Sequence, residues 1–168
     1  MAAMAAVWAL GVDWSTIRRG LANFSNDSDN AQGRFNLFQY RGATVIADYG
    51  HNPDAMMALV SAVEGMPATR RSVVISGAGD RRDQDIRQQT QILGDAFDEV
   101  VLFEDQCQRG RQDGEVIALL REGLAQARRT TSSTEIQGEF LAIDTAMDKL
   151  QAWELCLILI DQVEEALV

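Results

Sequence analysis

A histidine between an aspartate and an asparagine marks the strongest candidate site in this 168-residue chain. His51 is the only histidine, and it lies with Asp48 and Asn52 in the run DYGHNPDA (48–55). The apolar run 42–47 before it predicts a buried strand, and apolar residues at helical spacing follow it. Polar groups at the carboxyl end of such a strand could bind a ligand, and an imidazole there could act as a general base. The same local pattern fits a helix capped by Asn52, with His51 merely exposed.

Three further segments carry groups that could bind anions or amino acids. Arg34 could hold a phosphate or carboxylate through two nitrogens, or lie on a surface strand in an ion pair. The glycine-bearing run 76–83 could present backbone N–H groups to a ligand, or serve as a helix entry capped by Asp80. The loop 104–115 carries both charge signs, as an amino-acid site requires, but ordinary solvated loops share that composition. Within it, Cys107 lacks an activating partner and is predicted to be a packing residue.

Composition argues against several function classes. A formal charge of −10 repels polyphosphate backbones, so no nucleic-acid partner is expected, although one small anion could still bind locally. The two cysteines form no CxxC pair and have one histidine to join them, so we expect no metal site and a reducing, cytoplasmic location. No apolar run reaches membrane-spanning length, and the first residues lack the basic leader of a signal peptide.

The chain divides at a polar stretch rich in serine, asparagine and aspartate, residues 25–33. Before it, residues 1–10 predict an alanine-rich helix that is apolar almost all round, as expected of a buried helix cut from something larger. Ser15 or Asp13 could cap a second helix. That helix has three apolar positions: Ile17, Leu21 and Phe24.

After this linker, strand and helix patterns alternate. The strands are predicted at 34–40, 43–48, 72–76, 100–103 and 155–160, and the helices at 53–66, around 86–93, at 113–127 and around 140–150, with a polar turn at 130–134. Strands separated by single helices predict an α/β fold with a doubly wound, mostly parallel sheet.

Taken in order, four runs are more specific than any one alone. GRFN (33–36), DYGHNPDA (48–55), GAGDRRD (77–83) and EDQCQRGRQDGE (104–115) resemble the C-terminal lobe of the Mur ligase superfamily. DYGHNPDA is similar to DYAHxPDA of the muramyl-peptide ligases and to DGAHNP of folylpolyglutamate synthases. The last two runs and the tail 138–167 resemble the branch that joins arginine to aspartate side-chain carboxylates on a growing polymer.

The resemblance covers essentially the whole chain and implies its domain organisation. Residues 1–24 would be the helical end of a central ATPase domain, 25–33 a hinge, and 34–168 a Rossmann-like C-terminal lid domain. It also implies an ATP-dependent amide ligase that works through an acyl phosphate. ATP and Mg²⁺ would be bound mainly by the central domain, because the sequence contains no GxxxxGKS/T phosphate cradle.

The resemblance also implies roles for individual residues. Arg34 would reach the nucleotide phosphates, Asp48 the ribose, and His51 with Asn52 the nucleoside. We expect Asp105, Asp113 or Glu115 to be partners for the guanidinium of an arginine substrate. The substrate-binding set as a whole is Gly79, Asp80, Arg81, Arg82, Asp105, Arg109 and Asp113.

These roles imply partners rather than self-sufficient catalysis. The partners would be the central P-loop ATPase domain, an amino acid that is expected to be arginine, and a polymer acceptor, and the chain alone would not turn over ATP. Two alternatives remain open: a stand-alone nucleotide or amino-acid binding module, and a non-catalytic assembly domain. The oligomeric state is open as well, with a homo-oligomer as one expectation.

Overall fold

A single six-stranded sheet organises the computed structural model, which describes residues 2–23, 31–104 and 108–162. The helices are α1 (Ala2–Ala9), α2 (Trp14–Ala22), α3 (Pro53–Glu64), α4 (Asp83–Ala96), α5 (Glu115–Leu124) and α6 (Glu139–Lys149). The strands are β1 (Asn36–Tyr40), β2 (Ala43–Asp48), β3 (Arg71–Ile75), β4 (Glu99–Glu104), β5 (Ser132–Gln137) and β6 (Leu155–Leu159). Among the described helices, none is long and apolar enough to cross a bilayer.

The strand order is β1-β2-β6-β3-β4-β5, with β1 antiparallel and every other pair parallel. From β2 the chain moves outward through β3, β4 and β5, and then returns through α6 to place β6 between β2 and β3. This arrangement confirms the predicted α/β fold with a mostly parallel sheet. It also brings the carboxyl ends of β2, β6, β3 and β4 to one edge of the sheet, where such folds bind ligands.

Helices cover both faces of the sheet, which is why its central strands are apolar throughout. On one face, α3, α4 and α5 contribute core residues such as Met56, Leu93 and Leu120. On the other face, α6 packs Ala142 and Ala146 against the sheet. The β6 run LCLIL is buried at every position.

A tight hairpin joins β1 to β2. Arg41 and Gly42 both have positive φ, of 50° and 82°, which suits the right-handed twist of the two flanking strands. The register pairs Asn36 with Ala47 and Tyr40 with Ala43. This register fixes the start of β1 beside the end of β2, where the candidate site lies.

The polar turn predicted at 130–134 is wrong, because β5 runs through Ser132–Gln137 as an edge strand parallel to β4. Its residues alternate between exposed and half-buried, with Ile136 as the one large apolar side chain facing the core. Serine, threonine and glutamate on the other positions hid the strand pattern.

Other elements differ from prediction mainly at their ends. The strand predicted from Arg34 begins at Asn36, and the helix predicted at 113–127 spans Glu115–Leu124. Asp80 does not cap α4, which begins after Arg82 at the N-cap position. Phe24 and most of the predicted hinge lie outside the described residues.

The two N-terminal helices pack against each other and leave large apolar side chains in solvent. Asp13, one of the two predicted caps, accepts a 3.0 Å hydrogen bond from the Thr16 backbone N–H. Ile17 is buried, whereas Leu21 of the predicted apolar face is exposed. Trp8 and Leu10 are 68% and 83% exposed. The segment is therefore apolar, as predicted, but its large side chains are not buried in this structure.

Candidate functional site

The turn before β1 is tied to the end of β2 by Asp48. The Asp48 Oδ2 accepts a 2.8 Å hydrogen bond from the Phe35 N–H, and the Tyr49 N–H donates to the Gly33 carbonyl at 2.8 Å. Gly33 and Phe35 both have positive φ, so the chain turns sharply here before β1 starts. Burial raises the pKa of Asp48 above its ordinary value, although the Phe35 and Gly50 N–H groups oppose this shift. Asp48 therefore holds the segment that carries Arg34.

The side chains of Arg34, Tyr49 and His51 form a row of successive contacts at this edge of the sheet. The Arg34 guanidinium carbon is 5.7 Å from the centre of the Tyr49 ring. The Tyr49 ring in turn meets the His51 ring edge-on, with the ring centres 4.5 Å apart. The Arg34 guanidinium is held near the Tyr49 ring by a cation–π contact. The residue is exposed, so its charge remains accessible to an anion.

Asn52 caps α3, as the sequence predicted. Its Oδ1 accepts a 2.9 Å hydrogen bond from the Ala55 N–H, and Pro53 occupies the first turn. The capping oxygen is thus committed to the helix.

His51 is half-buried, with only 9% of its side chain exposed, so the alternative of a merely exposed histidine is wrong. Its Nε2 lies 3.3 Å from Asp161 Oδ1 but makes no hydrogen bond of good geometry. Arg109 donates a 2.7 Å hydrogen bond to the same oxygen and lies 3.6 Å from Asp80. Close contacts among His51, Asp161, Arg109 and Asp80 therefore link the segments that follow β2, β6, β4 and β3.

Asp161 belongs to this network, although no motif in the sequence marks it as a candidate. It follows β6 directly, and the buried Glu139 accepts hydrogen bonds from the N–H groups of Asp161 and Gln162. The contact with His51 and the charge of Arg109 lower the pKa of Asp161 below its ordinary value, although burial opposes them. The one signal available was its place at the carboxyl end of a predicted strand.

Arg111 fastens the loop after β4 to the loop after β3. Its guanidinium donates to the carbonyls of Gly79 and Arg81 at 2.7 and 2.8 Å, and to the carboxylates of Asp83 and Glu115 at 2.8 and 2.6 Å. The two loops approach so closely that a Cβ on Gly79 would lie 2.1 Å from the Gln108 carbonyl oxygen. Gly79 is therefore required by packing between loops, whatever else it contacts.

Replacing Arg111 by glutamine is expected to loosen these two loops. The shorter neutral side chain loses the charge-assisted contacts, and the free energy of unfolding should fall by about 1 kcal/mol. Urea denaturation measures that loss, and amide hydrogen exchange should quicken at residues 79–83 and 108–115. Arg121→Gln is the control, because Arg121 forms a similar bidentate pair with Glu135 on an exposed surface away from the loops. Equal exchange rates in both variants would contradict the role of Arg111.

Other predicted site residues lie outside this network or outside the described chain. Arg81 is exposed, and Arg82 is 81% exposed in a surface pair with Asp85. Asp113 faces a hollow between α5 and β5, and Glu115 is engaged by Arg111. Asp105 and Cys107 lie outside the described residues.

Glu104 anchors the far end of the loop that follows β4. The buried carboxylate accepts hydrogen bonds of 2.9 and 3.0 Å from the Gly114 N–H at the start of α5. Both ends of the loop carrying Arg109 are thus held, one by Glu104 and the other by β4 itself. Among the described residues, no three histidine, cysteine or carboxylate side chains come together as a metal site.

Comparison with known proteins decides the family. The model for the Mur ligase, glutamate ligase domain, matches residues 33–159. The chain belongs to the Mur ligase family. The match begins at the turn tied by Asp48 and ends with β6, so it contains the sheet that assembles the candidate site. The resemblance of the four sequence runs to this superfamily is confirmed.

Among curated Mur ligase relatives, cyanophycin synthetases match almost the whole chain. The Geminocystis herdmanii enzyme is 34% identical over 94% of this chain and 18% of its own length. The Synechocystis sp. enzyme is 32% identical over 99% of this chain and 19% of its own. The chain therefore spans about a fifth of the length of these relatives.

Solved structures share the Mur ligase fold. Escherichia coli FolC in complex with ADP superposes with a TM-score of 0.70 at 24% identity, covering 93% of this chain and 34% of that one. A UDP-N-acetylmuramoyl-L-alanyl-D-glutamate–2,6-diaminopimelate ligase gives 0.66 at 22% identity, covering 94% of this chain and 31% of that one.

Proposed function

We propose that this chain is the C-terminal lobe of an ATP-dependent amide ligase and contacts nucleotide on one side and an amino acid on the other. The observation that carries the proposal is the meeting of Arg34, His51, Arg109 and Asp161 at one edge of the sheet. This edge lies within a Mur ligase domain whose sequence lacks a phosphate cradle. The lobe therefore supplies binding groups to chemistry carried out on another domain.

The nucleotide side is formed by the segment around Arg34 and Tyr49. ATP, when bound, supplies the phosphoryl group that turns the acceptor carboxylate into an acyl phosphate, from which an amine displaces phosphate. The exposed Arg34 guanidinium offers positive charge to the nucleotide phosphates. Asp48 positions that arginine and lies beside the ribose, while His51 and Asn52 line the nucleoside side. In this scheme His51 contributes to binding rather than to proton transfer, and its Nε2 lies 3.3 Å from the Asp161 carboxylate.

The amino-acid side is formed by the loops after β3 and β4. Arg109 and Asp80 lie there with opposite charges, as the two ends of an amino acid require. The whole-chain similarity to cyanophycin synthetases supports arginine as the amino acid, joined to aspartate side-chain carboxylates of a polymer. Mg²⁺ belongs to the partner domain in this scheme.

The partner domain is the P-loop ATPase domain of the same enzyme, with residues 1–24 as its helical end and 25–33 as the hinge. Two observations support this division. The relatives align with nearly the whole chain, whereas the family model starts at residue 33. The large exposed side chains of Trp8 and Leu10 are also typical of a surface that packs against another domain.

The proposed location is the cytoplasm. The unpaired thiol of Cys156 agrees with a reducing compartment.

A chimera tests the proposed function. This chain replaces the matching 158 residues of the Geminocystis herdmanii cyanophycin synthetase. We expect arginine-dependent ADP formation and arginine incorporation into an aspartate polymer, while the isolated chain hydrolyses no ATP. The control is the same enzyme with the 158 residues deleted. A folded chimera that consumes no ATP in response to arginine would overturn the proposal.

Calorimetric titration of the isolated chain with ATP and with arginine distinguishes the proposed lobe from the two alternatives, a stand-alone binding module and an assembly domain. A stand-alone module would bind ATP or arginine tightly as an isolated chain, and an assembly domain would bind neither in any context. A lobe binds both weakly until its partner domain completes the site.

A further inference from the structure

The charged groups around Arg109 carry more negative than positive charge, which favours the binding of an additional cation. One guanidinium faces two carboxylates, those of Asp161 at 2.7 Å and Asp80 at 3.6 Å. The nearby His51 adds a positive charge only when it is protonated. When the imidazole is neutral, Arg109, Asp161 and Asp80 together carry a net charge of −1.

The Asp161 carboxylate is held in place and has capacity for a further donor. Its backbone N–H donates to the Glu139 carboxylate at 2.9 Å, which fixes the turn after β6. The contacts with Arg109 and His51 both fall on Oδ1, so Oδ2 takes part in neither. A carboxylate accepts up to about four hydrogen bonds. The side chain is 14% exposed, so it is desolvated enough to hold charge strongly and still reachable.

We propose that Asp161 is the specificity residue that recognises the positive side chain of the incoming amino acid, with Arg109 beside it for the carboxylate. The inference rests on the proposed function and adds a residue to it. Without a ligand, Arg109 and Asp161 partly neutralise each other, and a ligand with a carboxylate and a cation could pair with both. The buried His51 Nε2, which makes no hydrogen bond of good geometry, faces the same carboxylate.

Arginine and citrulline separate charge recognition from shape. Citrulline has the size of arginine, but a neutral ureido group replaces the guanidinium. In the chimera, Asp161→Asn is expected to raise the KM for arginine about ten- to a hundredfold, because a charge-assisted hydrogen bond is lost. The KM for ATP should stay at the wild-type value, and the preference for arginine over citrulline should shrink by the same factor.

Two further variants complete the test. Asp161→Glu keeps the charge and should keep the preference for arginine, which a purely structural role would not require. Arg121→Gln, on the exposed surface of α5, should leave both KM values unchanged. An Asp161→Asn chimera that melts like wild type and still prefers arginine to the same degree overturns the inference. If Asp161→Asn does not fold, a loss of preference in the folded Asp161→Glu variant overturns it instead. A wild-type chimera that uses neither amino acid refutes the proposed function itself.

Discussion

Replacing Gly123 by alanine is expected to lower the free energy of unfolding by about 3 kcal/mol, at the upper end for overpacking. Gly123 lies in α5 where this helix crosses α4. A Cβ there would lie 2.1 Å from the Arg87 carbonyl oxygen and 2.8 Å from the Arg87 Cα. These are backbone atoms of a helix, so no side chain can rotate away and the two helices must separate.

The separation would disturb the support of both site loops. The α4 helix follows the loop that carries Asp80, and α5 follows the loop that carries Arg109. We therefore expect the melting temperature to fall by roughly 6–12 °C, as measured by calorimetry. Gly65→Ala is the matched control, because its Cβ would meet only the Ala62 carbonyl oxygen at an ordinary 3.7 Å. Equal melting temperatures for the two variants would show that the close crossing of α4 and α5 is not rigid.

Much of the fold could be predicted because its central strands are buried on both faces. The runs that became β2, β3 and β6 are apolar and bounded by polar segments, so their place in the chain was clear. The edge strand β5 has one covered face and a polar composition, and it was mistaken for a turn. The strand order could not be predicted from local patterns, since it depends on α6 returning β6 to the centre of the sheet.

The candidate site was predictable in part for a similar reason. DYGHNPDA concentrates its polar groups in one run, so Asp48, His51 and Asn52 could be selected without a structure. Asp161 is a lone acidic residue after a strand, and only the pairing of β6 with β2 brings it beside His51. Arg111 was one of several charges in its loop, and the contacts that distinguish it are all tertiary. Long-range pairing therefore decides which of many polar residues meet.

Under the proposed function, the lobe contributes to the ligase reaction chiefly through Arg34, whose exposed guanidinium would meet a phosphate of the nucleotide. Asp48 fixes the turn that carries it, and the Tyr49 ring lies beside it at 5.7 Å. Removing the guanidinium should leave the fold intact, because the side chain is exposed. The loss of rate should fall on the transfer of the phosphoryl group from ATP to the carboxylate, a step in which one fixed hydrogen-bond donor contributes about a hundredfold.

The most direct measurement is the kcat for arginine-dependent ADP formation by the chimera carrying Arg34→Gln. Arg41→Gln is the matched control, because Arg41 also lies over a tyrosine ring, Tyr40 at 4.8 Å, but at the opposite end of β1. We predict that kcat falls about a hundredfold for Arg34→Gln and stays at the wild-type value for Arg41→Gln, with unchanged melting temperatures in both. A wild-type kcat for Arg34→Gln would contradict the assignment of this chain as the lobe that contacts the nucleotide.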